Sequence, residues 1–315
     1  MKTKIYLLAI ITMLCVSCKD KKANTVQTEQ NVSPIDTTIQ KIAENALNNQ
    51  LQALNANAGI VVVMDSKTGT IKAVANKHLS ENDTIETASL FKVPCMIVAL
   101  DDSIISPNDK IDTENGILKY KGVTVKDVIS DKGGYGKITP EQVIMFSSNV
   151  GIAKIILKGY ENNPNKLVEG LHELGFTNIP KDKPIENYIS LGYGIKVPVI
   201  QILQFYNSIA NGTVKCSPNS LEAIRKMLIN TVNDDTGTGK PAKSDKVLIA
   251  GKTGSLKDAV LFCGYFPADN PKYTGIVVID NPKNGYPSGG VMAGSVFKEI
   301  AEASVAVAVA VSQAK

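Results

Sequence analysis

Strand-forming residues gather at the two ends of this chain, and that distribution limits the folds open to it. Near the start, Gly59–Asp65 reads GIVVVMD, a continuous apolar run rich in β-branched valine. Such a run suits a strand buried on both faces. Ser66-Lys67-Thr68-Gly69 then supplies a turn and Thr70–Ala75 a second strand, predicting a hairpin. Strand patterns return only late, at Val247–Lys252, Val260–Phe266 and Tyr273–Ile279, with Pro267, Asn270 and Pro271 marking the last turn. Between about Ser89 and Met227 the segments read mostly as helices broken by Gly, Pro and Asn. Two distant strand groups must bury their apolar faces together. The expectation is an α/β (α+β) fold: one mainly antiparallel sheet built from both chain ends, flanked by helices, with a helical subdomain beside it.

Flanking segments complete the domain plan. Ile39, Ile42, Ala43, Ala46, Leu47, Leu51 and Leu54 recur at helical steps, predicting an amphipathic helix over Thr37–Leu54 capped by Asp36. Val296–Ala303 predicts a closing helix, followed by a tail, 304–315, whose alternating Val/Ala stretch Ser304–Val311 can extend that helix. At the N-terminus, Lys2 and Lys4 precede the short apolar run Ile5–Val16. This is the layout of a secretory signal, too short to span a bilayer. Val16-Ser17-Cys18 resembles a bacterial lipobox, although Cys15 stands where such boxes prefer leucine. The expected organisation is a lipoprotein signal over 1–17, a polar tether over 18–35 with Cys18 as lipid anchor, and a globular domain over 36–303. An acyl chain attaches a protein to a membrane surface without spanning it.

Composition excludes some classes of function. The formal charge is +4 and Arg225 is the only arginine, so the planar forks that recognise phosphate are missing and no nucleic-acid partner is expected. Five dispersed cysteines and two distant histidines, His78 and His172, show no metal-ligand spacing. No metal and no cofactor is expected.

Three short motifs carry chemistry. In Ser89-Leu90-Phe91-Lys92, residues three apart at a helix start share a face, placing an amine beside a hydroxyl. A serine is a weak nucleophile until a base takes its proton, and burial lowers a lysine's pKa enough for it to be that base. In Ser147-Ser148-Asn149, two polar side chains on a tight loop face one cleft; Ser147 can relay a proton and Asn149 can bond a substrate amide. Gly251-Lys252-Thr253-Gly254-Ser255 closes the strand Val247–Ala250. An edge strand there can pair with an extended peptide. Lys252 and Thr253 would meet a carboxylate, Gly254 permits close approach, and the N–H groups of Ser89 and Ser255 can face one developing oxyanion. Each motif alone is an ordinary helix cap, polar turn or strand end. Their occurrence together and in order, S-x-x-K, S-x-N, K-T-G, is the signal.

These motifs resemble those of the transpeptidase domain of class B penicillin-binding proteins, particularly the cell-division type of the Bacteroidetes. GIVVVMDSKTGTIKAVAN, LGYGIKVPVIQILQFYNSIANG, TGTGKPAKSD and CGYFPADNPKYTGIVVIDNPKNGYPSGGVMAGSVFKEIAE extend the likeness over about Asp36 to Ala303. The resemblance implies the penicillin-binding protein/serine β-lactamase-like fold and a peptidoglycan D,D-transpeptidase. Ser89 would be acylated by the D-Ala-D-Ala end of a stem peptide, or by a β-lactam. Lys92 would be the base, Ser147 and Asn149 would assist proton transfer and hold the donor peptide, and Lys252, Thr253, Gly254 and Ser255 would form the carboxylate and oxyanion site. Implied partners are stem peptides, β-lactams, the membrane through Cys18, and cell-wall synthesis or division proteins, with the domain in the periplasm.

Departures accompany the likeness. A tether stands where the family carries an N-terminal module, Thr87-Ala88 precedes Ser89 where Pro-Gly is usual, and Phe176 to Tyr193 is short. A β-lactamase would need a deacylating glutamate. No E-x-x-L-N segment occurs, and Glu161, Glu169, Glu173 and Glu186 are candidates by position only. The sequence also leaves open a carboxypeptidase or endopeptidase, and a non-catalytic β-lactam sensor or scaffold.

Overall fold

The computed structural model describes residues 35–179 and 194–313. The signal segment, Cys18, the tether up to residue 34, and Glu186 lie outside the described residues. Among the described residues, no helix is long and apolar enough to cross a membrane.

The first helix, α1, spans Thr37–Leu54 as its periodicity predicts. The Asp36 carboxylate accepts from the N–H groups of Thr38 (3.0 Å) and Ile39 (3.2 Å), satisfying two donors left unpaired at a helix start. Asn55 ends it in the left-handed conformation (φ 47°).

The valine run becomes β1 (Ala58–Asp65), which pairs antiparallel with β2 (Ile71–Lys77) on one side. Its other neighbour is the strand Tyr273–Asp280, in a register that sets Val61 opposite Val277. The strand Ala259–Phe266 follows, and Ala250–Ser255 forms the far edge of a five-stranded antiparallel sheet. Both chain ends therefore meet in one sheet, as expected.

Successive side chains point to opposite faces of a strand. Val61, Val63, Phe262, Val277 and Ile279 pack with α1 and with Val296, Phe297 and Ile300 of the closing helix. Ile60, Val62, Leu261, Ile276 and Val278 pack against the helical middle of the chain. Burial on both faces is why the sequence shows a continuous apolar run rather than alternation.

The two sheet edges differ. At β2, the Gln40 side chain pairs with Val74 like a short strand, donating to its carbonyl and accepting from its N–H at 2.8 Å each. The Asp36 N–H donates to the Lys72 carbonyl. That edge is blunted against strand addition. Among the described residues, the Ala250–Ser255 edge has no strand partner on its outer side.

Three expectations need correction. The late strand begins at Ala250, not Val247, because its register on Ala259–Phe266 pairs Tyr265 with Ala250 and Val260 with Ser255. Gly251–Ser255 is therefore the strand itself, not its end. The middle is less purely helical than it reads: Ile117–Tyr120 and Val123–Lys126 form a small hairpin around Gly122 (φ 83°). The closing helix, expected over Val296–Ala303, is Ser295–Gln313 and so continues into the Val/Ala stretch.

Candidate active site

Ser89 lies not in a helix but in a 3-10 turn, Ala88–Phe91, that feeds the helix α2 (Lys92–Asp101). Every residue from Lys92 to Leu100 is buried, so the turn is rooted in the core. The Tyr206 hydroxyl donates to the Leu90 carbonyl at 3.0 Å, and the Thr87 N–H donates to the Ile195 carbonyl. Ala88, just before the serine, is left-handed (φ 48°). That conformation costs roughly 1–2 kcal/mol for a residue with a Cβ, and the surrounding bonds hold it.

Ser147 is strained in the same way (φ 56°). It sits in the corner between the helices Pro140–Met145 and Asn149–Tyr160. Ser148 caps the second helix, its hydroxyl accepting from the Gly151 N–H at 2.8 Å. With both helix ends fixed, the left-handed residue turns its side chain away from them and into the cleft.

The three motifs converge. Lys92 is 1% exposed, and its amine donates to the Ser147 carbonyl and to Asn149 Oδ1 at 2.6 Å each, and to Ser147 Oγ at 3.2 Å. Lys252 is fully buried; its amine donates to the same Ser147 Oγ and to the Thr253 carbonyl, at 3.0 Å each. Ser147 Oγ thus bridges two amines. A hydroxyl has two lone pairs and one proton. With both lone pairs taken, its proton points into the cleft. Asn149 is also nearly saturated, since Nδ2 donates to the Lys126 carbonyl at 2.8 Å and keeps one N–H for a ligand.

Burial holds Lys92 down at about 7, with the Asp127 charge opposing that shift. Lys252 is held well below the ordinary lysine range by burial and by the neighbouring Lys92 charge. Near neutral pH, Lys92 is therefore uncharged in a large fraction of molecules; an uncharged amine keeps two N–H groups, so it then gives up one of its three bonds and gains a lone pair. The Ser89 hydroxyl makes no hydrogen bond among the described residues; it lines a cleft of about 580 Å³ together with Ser147, Asn149, Thr253 and Ser255.

On the opposite wall, alternation in the antiparallel ladder decides which N–H groups are free. The Leu256 N–H bonds the Ala259 carbonyl, so the Ser255 and Thr253 N–H groups point away from that neighbour, toward the open edge. The hydroxyls there are already oriented. Thr253 Oγ1 donates to Thr238 Oγ1, which donates to the Met145 carbonyl, both at 3.0 Å. Ser255 Oγ accepts from the Gly289 N–H at 2.8 Å, leaving its own proton available. Lys252 points inward to Ser147, while Thr253 and Ser255 line the cleft. Among the described residues, no cluster of three or more His, Cys, Asp or Glu could hold a metal ion.

Sequence reasoning missed Asp127, Thr238, Tyr206 and Gly289. Thr238, Tyr206 and Gly289 lay within stretches that carry the likeness but with no role read there, and Asp127 lay in none; each matters only through a residue distant in the chain.

Two buried lysines make stability depend on pH. The ordinary lysine value is 10.5, and Lys92 in the fold is at about 7. Between these the unfolded chain binds more protons, so stability rises with pH. Above about pH 8.5 the buried thiols of Cys95 and Cys263, pushed up by burial, act in the opposite direction. Urea midpoints are therefore expected to rise from pH 6.5 to 8.5, and Lys92→Met is expected to flatten that rise. An unchanged slope in the variant would contradict the assignment.

A serine hydroxyl on a cleft beside a charge-suppressed amine, at the edge of an antiparallel sheet backed by helices, fits the penicillin-binding protein/serine β-lactamase-like class of folds. Residues 59–302 match the sequence profile described as the penicillin binding protein transpeptidase domain. The chain belongs to that family. It is 26% identical to a probable peptidoglycan D,D-transpeptidase, PenA, of Neisseria flavescens, over 86% of this chain and 81% of that protein. With the corresponding protein of Neisseria gonorrhoeae it shares 27% identity over 84% of this chain and 55% of the relative, so it spans about half of that longer protein. Among solved structures, it superposes on the transpeptidase domain of Burkholderia pseudomallei penicillin-binding protein 3 with a TM-score of 0.76, at 25% identity, covering 87% of this chain and 95% of that one.

Proposed function

We propose that this chain is a peptidoglycan D,D-transpeptidase that works through an acyl-enzyme on Ser89 and is inhibited by β-lactams. The observation that carries this reading is Ser147 Oγ held between the amines of Lys92 and Lys252, on the cleft that Ser89 lines. Neutral Lys92 takes the Ser89 proton as Oγ attacks the carbonyl carbon of the penultimate D-alanine. The N–H groups of Ser89 and Ser255 stabilise the oxyanion; removing one such donor costs about 3–4 kcal/mol in comparable sites. As the C–N bond breaks, the proton passes from Lys92 through Ser147 to the departing D-alanine amine. The free N–H of Asn149 binds the donor peptide, and Ser255 binds the terminal carboxylate. A second stem peptide's amine then attacks the ester, releasing Ser89 and forming the cross-link.

The cellular setting belongs to the same proposal. Cys18 carries a lipid that holds the domain at a membrane surface on the periplasmic side, where it serves wall synthesis or division. Incubating purified stem pentapeptides with the protein tests the reaction. A cross-linked dimer with one D-alanine lost per link is expected. Release of D-alanine with no dimer would instead identify a carboxypeptidase, and rapid turnover of penicillin a β-lactamase.

A further inference from the structure

Asp127 follows the strand Val123–Lys126 and belongs to none of the three motifs. It is 3% exposed, and among the described residues it forms no ion pair. Its Oδ1 accepts from the Val150 N–H and from the Ser148 hydroxyl, at 3.0 Å each, and Oδ2 accepts from the same hydroxyl at 3.0 Å. The carboxylate therefore grips the corner Ser147–Asn149 from behind, on the side away from the substrate. A buried carboxylate without a cationic contact is costly, which calls for a use of its charge.

That use lies in the charges around Lys92. The strand Ala250–Ser255 presents Lys252, a second amine, which burial and the Lys92 charge hold well below the ordinary lysine range. The corner before Asn149 presents the neutral Ser147 and Asn149. Tyr135, stacked on Phe146 with ring centroids 4.9 Å apart, is neutral, pushed up to about 12 by burial and by Asp127. Asp127 is the carboxylate that acts on Lys92, and it acts without touching it. When a buried amine takes a proton beside another amine, a fixed negative charge behind it lowers the cost of the cation that forms.

We propose that Asp127 is a positioning residue for acyl transfer: it holds the Ser147–Asn149 corner against Lys92 and supplies the negative charge that stabilises Lys92 as it becomes cationic. This rests on the acyl-transfer reading above and adds to it a residue outside the motifs.

Asp127→Asn separates charge from geometry. The retained Oδ1 still accepts both bonds on that oxygen, and the new amide donates where Oδ2 accepted, so mainly the charge is lost. The experiment is the second-order rate of acylation by a fluorescent penicillin, measured from pH 5 to 9. The wild-type rate rises with pH as Lys92 loses its proton. In Asp127→Asn the midpoint is expected to move to lower pH by on the order of 0.5–1 unit, the scale of one carboxylate acting across a few residues at an effective dielectric near 20. Asp127→Glu restores the charge and is expected to return the midpoint to the wild-type value even where its rate is low. A merely structural Asp127 would change the rate and leave the midpoint in place. A midpoint in Asp127→Asn within roughly 0.2 unit of wild type, or a Glu variant displaced as far as the Asn variant, overturns the proposal. Should the Asn variant not fold, Asp127→Ser, which also removes the charge, is measured in its place against the same limits. Wild-type protein that takes no label at any pH would instead sink the acyl-transfer reading itself.

Discussion

Lys92→Ala is expected to slow acylation by about 10²–10⁴-fold, the range for loss of a positioned general base, while the protein still folds. Lys92, buried beside the cleft, joins a readily deprotonated amine to direct bonds with both Ser147 and Asn149. Removing it deprives Ser89 of its proposed base and leaves the Ser147 carbonyl and Asn149 Oδ1 without this donor. Stability should not fall in proportion. A buried amine opposes folding wherever it must be charged, so truncation offsets part of the packing loss. Stopped-flow labelling separates the two effects, because the variant should saturate with ligand but acylate slowly. A Lys92→Ala protein that acylates at near wild-type rate would remove the base from the account.

Gly264→Ala is the second large effect, and it arrives through the backbone. Gly264 pairs with Gly251 across the ladder, and a Cβ there would lie 2.1 Å from the Ala250 carbonyl oxygen and 2.7 Å from the Gly251 Cα. These atoms are backbone, so no side-chain rotation relieves the clash. The edge strand must shift, taking Lys252 away from Ser147 and the Ser255 N–H away from the cleft. The expected cost is about 3 kcal/mol, the upper end for overpacking, with acylation lost together with stability. Gly59→Ala is the control. Its closest neighbour is the tip of Leu51, Cδ2 at 2.9 Å, which can rotate away. Chemical denaturation and labelling rates on the two variants should differ sharply. Equal effects would mean the edge strand tolerates displacement.

How much was legible in the sequence follows from the range of each interaction. Helix α1 was readable to its cap because its pattern and Asp36 are local signals. The central strand was readable because burial on both faces makes an unbroken apolar run, and its end-to-end pairing followed from the need to cover that run. The start of the edge strand was misplaced, since Val247–Ile249 is as apolar as a strand but its membership is set by register on Ala259–Phe266. The side chains that converge at the cleft were legible because three motifs in order carry more information than any one. Their wiring was not. Nothing local says that one serine hydroxyl serves two lysines, that Thr253 spends its proton on Thr238, or that Asp127 braces the corner from behind. The left-handed Ala88 and Ser147 were equally hidden, because residues with a Cβ adopt that conformation only where the packed fold enforces it.

One measurement bears most directly on the whole account: peptide mapping by mass spectrometry after brief exposure of the protein to a fluorescent penicillin. The prediction is a single slowly released adduct on the peptide containing Ser89, absent from Ser89→Ala. An adduct on any other side chain, or undiminished labelling of Ser89→Ala, would contradict it.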